Sequence, residues 1–430
     1  MSHKLICHVD MNSYFASVEQ QANPFFRHRP VAVCAYLHPH GCIIAASVEA
    51  KRMGIKVGMV MSQAQHIVPG IICVQNDPPK YRAVTSKIFA LLHALTDTIE
   101  HYSIDEAFLD LTGWYRDAAE AAFALSRIKQ RLHTDVGEWL RCSIGIAPTK
   151  FLAKFASDRC KPDGLTIIDQ DTISIWLDVP VQEACGIGPQ RTKRLACLGI
   201  TTLLDLRRAS PMNLLHVFGK QGFFLWCRVQ GIECDPFIPS GVPPKSIGHS
   251  YCVPRRISRE GSIEAVLTKL TERVGRRLRS HHLQAGRIVV GVHGVHEKRY
   301  RHTAYVFTDP VDHSSALISA AISLFRELCL MQEVDFLSVT CIDLQKPSTQ
   351  SSFTMGVSSR GVREERLRSV SRSLDHIRDR YGEEAIVFGR MFTATGDGHA
   401  PDRIGFRKVD GVAVSEFPVY DNPVSYVDVE

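Results

Sequence analysis

The sequence predicts an α+β fold built on a small sheet, and three observations carry that expectation. An apolar run at 5–9 ends on Asp10 and gives way at once to a helical pattern at 14–21. Two short β-prone runs, 99–104 and 107–111, flank the adjacent acids Asp105 and Glu106. A third strand pattern, 142–147, lies between helical patterns at 118–132 and 149–157. With residues 30–95 read as an excursion, the order is strand, helix, hairpin, helix, strand. That is the split βαββαβ, ferredoxin-like plan, with helices on one face of the sheet.

Within the excursion, 30–34 and 41–46 read as strands, and a short helix follows that Gly54 ends. Residues 80–93 read as a helix because Val84, Ile88, Leu91, Leu92 and Leu95 recur at helical spacing. From about 166 to 232 the pattern is helical. There Gly186 and Gly188 flank Ile187 between two helices. Such a hairpin turns amides outward to hold phosphate without reading bases. The same residues also fit a plain glycine-closed turn. Residues 218–222 read as a second, poorer hairpin, and the proline-rich 233–245 as an extended linker.

At 430 residues the chain holds two to four domains, and 45% hydrophobic with 22% charged residues is a globular balance. No run of eighteen apolar residues occurs, which argues against a membrane span. The first residues enter a strand without signal-peptide architecture. Thirteen scattered cysteines without a Cys-x-x-Cys pair point to a reducing cytosol rather than a disulfide framework or zinc site. The net charge is +6, yet residues 245–305 alone carry thirteen Lys and Arg against four Glu. A local excess of this kind is the footprint of phosphate-backbone binding. For Arg276, Arg277 and Arg279 a solvated helix face is the competing reading. Strands are expected at 287–293, 304–307 and 334–344, and a helix at 314–330. Beyond 347, a charged helix at 361–380 places Leu367, Val370, Leu374 and Ile377 on one face, and 395–430 reads as a loose tail. No internal repeat is visible.

The acids carry the chemistry. Neighbouring side chains in a strand point to opposite faces, so two acids serving one site fit best at a bend. Alone, Asp105-Glu106 also fits a solvated hairpin tip, where surface acids are common. Asp10 changes that reading, because an acid between a strand's carboxyl end and a helix start is where α/β folds place ligand chemistry. Three acids brought together repel one another and lose hydration unless cations bind them. Oxygen donors suit Mg²⁺. Two such ions, about 4 Å apart, would serve a phosphoryl displacement.

Several motifs then carry a resemblance. HVDMNSYFASVE (8–19), VEAKRMGI (48–55), YSIDEAFLDL (102–111), SIGIA (143–147), KFLAKFAS (150–157), KPDG (161–164), GIG (186–188) and KSIG (245–248) follow one another in order. Together they span about residues 4–345, and the chain resembles the Y-family, translesion DNA polymerases of the DinB/UmuC class. The resemblance implies a right-hand polymerase with a palm (1–30 and 78–165), fingers (31–77), a helical thumb with a helix-hairpin-helix (166–232), a linker (233–245), an α/β little finger (246–346) and a partly disordered C-terminal extension (347–430). It implies two Mg²⁺ held by Asp10, Asp105, Glu106 and the carbonyl of Met11. Asp10 and Asp105 would bridge both ions, and Glu106 would hold the one at the primer 3′-hydroxyl.

By the same resemblance, Asn12, Ser13, Tyr14 and Phe15 form the turn over the triphosphate, and Phe15 is the steric gate against ribonucleotides. Lys51, Tyr81 and Lys161 match triphosphate contacts. Val48 and Lys51 depart from a tyrosine and an arginine common in relatives, which shifts the expected binding toward Lys161 and the metals. Residues 43–47 would roof the templating pair. Gly186, Gly188, Lys245, Arg255, Arg256, Arg299 and Arg301 are candidate DNA contacts. Primer-template DNA and deoxynucleoside triphosphates are the implied partners of a monomer in the bacterial cytoplasm, on the nucleoid. The segment 350–353 stands where relatives carry a sliding-clamp motif but lacks its aliphatic anchors, and 376–382 resembles a late UmuC segment. No second acidic cluster for a proofreading exonuclease is found in the sequence. A nucleotidyl cyclase, which also uses such a sheet, and a catalytically inactive DNA-binding adaptor are the alternatives.

Overall fold

The computed structural model describes residues 4–238, 242–257, 260–294, 300–328, 333–347, 359–382 and 385–391. The described residues divide into two units, one up to Val242 apart from His38–Gly41, the other made of His38–Gly41 and the described residues from Pro243 to Met391. The first unit holds β1 (Ile6–Met11), β2 (Val31–Cys34), β3 (Ile43–Ala46), β4 (Ile72–Gln75), β5 (Ile99–His101), β6 (Glu106–Asp110), β7 (Cys142–Ala147) and β8 (Leu165–Ile167). The second holds β9 (Ser246–Ile257), β10 (Gln284–Gly294), β11 (Arg301–Val311) and β12 (Val334–Gln345).

The main sheet of the first unit runs β5-β6-β1-β7-β8, with β1 antiparallel to both β6 and β7. This is the expected ferredoxin-like order. Alternation along β1 splits its residues between two faces. Cys7, Val9 and Met11 join a core with Tyr14, Ile88, Leu92 and Leu125 from helices Tyr14–Ala22, Pro78–Leu92 and Ala118–Arg131. The expectation of helices on one face needs correction. Helix Lys150–Arg159 lies across the other face, where Ile6 and Phe108 pack with Phe151, Leu152 and Phe155. Gly145 of β7 permits this: a Cβ there would lie 2.0 Å from the carbonyl oxygen of Ala153. The same core continues through Leu195, Leu203, Leu214 and Leu225 into the helices between 189 and 230.

The excursion forms its own three-stranded sheet, β3-β2-β4, around Ile43, Ile55, Ala64 and Val68. The linker reading fails for its first part. The backbone N–H of Lys150 donates to Glu233 at 3.0 Å, and its ammonium to Glu100 at 2.6 Å. Glu100 also accepts from the Ile238 amide at 2.8 Å, and Arg228 forks onto Asp235 at 2.7 and 2.6 Å. Fixed partners therefore dock 233–238 onto the first unit.

The second unit repeats the βαββαβ order with helices Glu260–Ser280 and Ser314–Glu327, which reading the sequence did not reveal. Its strand order is different, β11-β10-β12-β9, and every pair is antiparallel. Ile288, Val290, Val292, Leu337, Val339 and Cys341 share one core with Leu267, Leu270 and Leu317 from the two helices.

Helix Ser359–Tyr381 docks on this unit by a face that half-buries Leu367 and Leu374 but leaves Val370 and Ile377 exposed. Arg279 forks onto Asp375 at 2.6 and 2.9 Å, Arg378 meets Glu272 at 2.5 Å, His313 meets Glu364 at 2.7 Å, and Arg368 reaches Asp312 at 3.2 Å. Arg279 and Glu272 are buried, and a buried charge without a partner costs several kcal/mol, so ionic matching sets the docked face. Arg276 likewise meets Asp379. Arg276 and Arg279 therefore belong to an internal contact and not to a single basic surface.

Candidate active site

Strand register assembles the acids. Asp10 lies directly opposite Glu106 on β6 and Ser143 on β7. Direct partners in an antiparallel pair share a face, about 5 Å apart at Cβ. Asp105 sits in the bend just before β6. Its carbonyl accepts the Met11 amide at 3.0 Å, and its carboxylate accepts the Ser103 hydroxyl at 2.5 Å. The expected bend thus ends one residue early, with Glu106 opening the strand.

Two lysines reach these acids. The Lys161 ammonium lies 2.7 Å from Asp10 and 2.8 Å from Asp158. Lys154 lies 2.8 Å from Glu106 Oε2 and 5.3 Å from the centre of the Tyr102 ring. Beneath them His8, fully buried, places Nε2 3.7 Å from Glu106 Oε2 and Nδ1 2.7 Å from Ser157 Oγ.

Burial pushes Asp105 up to about 6 and also raises Asp10, although Lys161 opposes it there. Burial works to raise Glu106 too, but His8 and Lys154 overcome it and hold that carboxyl down at about 2. Burial lowers the His8 imidazole. Among the described residues no three carboxylate, imidazole or thiol groups converge as a ready metal cage. Asp10 and Glu106 turn oxygens to lysines instead. The donor set still fits Mg²⁺, since three acids outnumber two ammonium groups and every donor is a hard oxygen.

The neighbouring candidates separate into two groups. Ser13 adopts a left-handed backbone (φ 52°) ahead of helix Tyr14–Ala22, whose first amides have no partner within the helix. Phe15 stacks on Tyr81, ring centres 4.4 Å apart and 18° from parallel. Lys51, on helix Val48–Arg52, is exposed, and desolvation and then Lys161 lower its ammonium from the usual value.

The side chains of Asn12, Tyr14 and Tyr81 have partners within the protein. Asn12 donates to Ser143 at 3.0 Å and accepts the Asp163 amide at 2.7 Å, so it fixes the 161–164 loop. The Tyr14 hydroxyl lies 2.8 Å from both the Tyr81 carbonyl and Thr85 Oγ1. The buried Tyr81 hydroxyl donates to Glu19 at 2.8 Å.

Gly186 has φ 88° and Gly188 caps helix Pro189–Ala196, with Ile187 buried between them. Lys245 and Arg301 are exposed. The side chains of Arg255 and Arg256, all of Arg299, the 350–353 segment and residues 395–430 lie outside the described residues. Sequence reasoning gave no role to His8, Lys154 or Ser157. The spacing of Lys150, Lys154 and Ser157, one helical face pointing at a strand of acids, was the available signal. No described helix is long and apolar enough to cross a membrane.

Comparison with known proteins agrees with this geometry. The impB/mucB/samB family model matches residues 9–158, and the model of that family's C-terminal domain matches 244–355. DNA polymerase IV of Moorella thermoacetica is 33% identical over 402 residues, covering 92% of this chain and 96% of that one. DNA polymerase IV of Pelotomaculum thermopropionicum is 31% identical over 392 residues, covering 90% and 95%. A solved Y-family DNA polymerase chimera superposes with a TM-score of 0.71 at 27% identity, covering 80% of this chain and 100% of the chimera. The fold is that of a Y-family polymerase, and the relatives make the chain a DNA-directed DNA polymerase. More particularly, the chain belongs to the impB/mucB/samB family, the DinB/UmuC class of Y-family polymerases.

Proposed function

We propose that the chain extends primed DNA past damaged template bases by two-metal-ion nucleotidyl transfer. Residues 1–30 and 78–165 serve as palm, 31–77 as fingers, 166–232 as thumb and 246–346 as little finger. The observation that carries this reading is the register placing Asp10 opposite Glu106, with Asp105 tied to Met11 by its own carbonyl. Asp10, Asp105, Glu106 and the Met11 carbonyl would hold Mg²⁺, which supplies charge neutralisation and an activated oxygen when bound. The chain's own residues do the rest. Lys161, the more exposed of the two lysines, exchanges Asp10 for a triphosphate. The Ser13 turn and the first amides of the following helix face phosphate. Phe15, held flat by Tyr81, stands against a ribose 2′-hydroxyl. Lys245, Arg301 and the Gly186–Gly188 amides meet the DNA backbone.

Primer extension on a primed template with Mg²⁺ tests this. Template-directed addition that Asp105→Ala and Glu106→Ala both abolish supports the reading. Binding of primed DNA without addition favours the adaptor, and neither binding nor addition sends the question to a cyclase assay.

A further inference from the structure

Glu106 and Asp10 each meet a lysine, but the two lysines are built differently. Lys161 lies on a loop, its side chain 35% exposed, and divides its ammonium between Asp10 and Asp158. Lys154 lies on helix Lys150–Arg159, 13% exposed under the Tyr102 ring, and pairs with Glu106. A lysine packed in this way is not placed to leave for a ligand.

We propose that Lys154 is a positioning residue for Glu106, fixing which carboxylate oxygen is left for the primer-side cation. This rests on the polymerase reading above. Lys154 holds Oε2 and leaves Oε1 open. Ser157 donates to the Lys154 carbonyl at 2.8 Å and its oxygen lies 2.7 Å from His8 Nδ1, so one hydroxyl ties the turn that carries Lys154 to the buried ring. His8 Nε2 lies 3.7 Å from the same Glu106 Oε2 that Lys154 holds at 2.8 Å, so both neighbours stand on the Oε2 side. Gly145 seats the helix that carries both Lys154 and Ser157, so the arrangement is part of the packing between helix and sheet.

The test compares the wild type with Lys154→Met, Lys154→Arg, Ser157→Ala and Lys161→Met, each checked for folding by circular dichroism. Two readouts are used. One is Mn²⁺ binding by electron paramagnetic resonance on protein without DNA or nucleotide, and the other is the split of primer extension into kcat and KM. Lys154→Met should weaken Mn²⁺ binding and lower kcat by about 10–100-fold, the range for residues that orient metal ligands. Its KM for the nucleotide should stay within about two-fold, since a group acting on the reacting centre alone leaves uniform binding intact. Lys154→Arg should recover part of the loss, and Ser157→Ala should show a smaller change in the same direction. Lys161→Met should instead raise KM.

Unchanged kcat, or tighter Mn²⁺ binding in Lys154→Met, overturns the proposal, because a lysine that only neutralised charge would compete with the metal. A rise in KM equal to that of Lys161→Met also overturns it and makes Lys154 a triphosphate ligand. If the wild type does not extend primers, the polymerase reading fails by itself, and the Mn²⁺ comparison still decides the role of Lys154.

Discussion

The five-stranded sheet of the first unit and the four-stranded sheet of the second share a βαββαβ order and differ in where its first strand goes. In the first unit β1 is central, flanked by β6 and β7; in the second its counterpart β9 is an edge and β10 and β12 are central. Centrality determines what each can do. A central strand buried on both faces can hold acids at its end only if lysines and cations neutralise them, and that is the setting of Asp10. The second unit keeps β11 largely exposed, suited to a polyanion that needs a surface rather than a pocket. Its interior charges are spent on helix Ser359–Tyr381.

The sharpest break of this comparison is Asp10→Asn. It should lower primer extension by about 10³-fold or more while leaving DNA binding intact, because a ligand of the reacting centre is lost and the exposed cations are untouched. In the second unit Asp375→Ala should lower stability by about 3 kcal/mol, leaving Arg279 buried without its carboxylate, as read by urea unfolding of that unit. Extension at low salt should survive it. Gly145→Ala should cost the first unit about 2–3 kcal/mol, since the added methyl meets backbone at 2.0 Å. The matching change on the other sheet's helix, Gly275→Ala, meets side-chain atoms rather than backbone, the Arg279 guanidinium at 3.1 Å and a Leu317 methyl at 3.3 Å, and should cost less, about 1 kcal/mol, because Arg279 is held by Asp375.

A smaller effect depends on pH. Asp105 titrates near about 6 when folded against an ordinary 3.8, so the folded state binds the extra proton between those values. Stability of metal-free protein therefore falls as pH rises through that window. Asp105→Asn should raise the thermal midpoint above about pH 6 by a few degrees, and the gain should vanish below about pH 4. Smallest is Arg301→Gln, which should weaken DNA binding a few-fold and reduce the salt slope by about one, with kcat unchanged. A large loss of kcat there would erase the distinction between the sheets.

Much of the first unit was legible because apolar periodicity and the acids lie in contiguous stretches. The strands around Asp10, Asp105 and Glu106 could be read to within three residues, and the Gly186 turn was legible too. What escaped was whatever depends on residues far apart in sequence. Helix Lys150–Arg159 crosses the second face because one glycine lets it approach, and nothing local to 150–159 says so. Tyr81 finds Glu19 and Asn12 finds Asp163 only after folding, and no motif shows those partners. Of the four apolar residues at 367–377, two are half-buried and two exposed, because ionic partners at 272, 279, 312 and 313, which could not be paired from sequence, turn the helix. A repeat of topology without a repeat of residues was invisible for the same reason.

Helix Ser359–Tyr381 has a consequence for the gene. The second family model ends at 355, so a premature stop or frameshift just beyond β12 would look harmless on a domain map. The truncated product would keep every described strand of the three sheets and every acid of the active site. It would also uncover Arg279, Glu272, Asp312 and His313 together, with their partners deleted. Such an allele should behave as a loss of protein level, rescued by cooling, and not as a loss of chemistry.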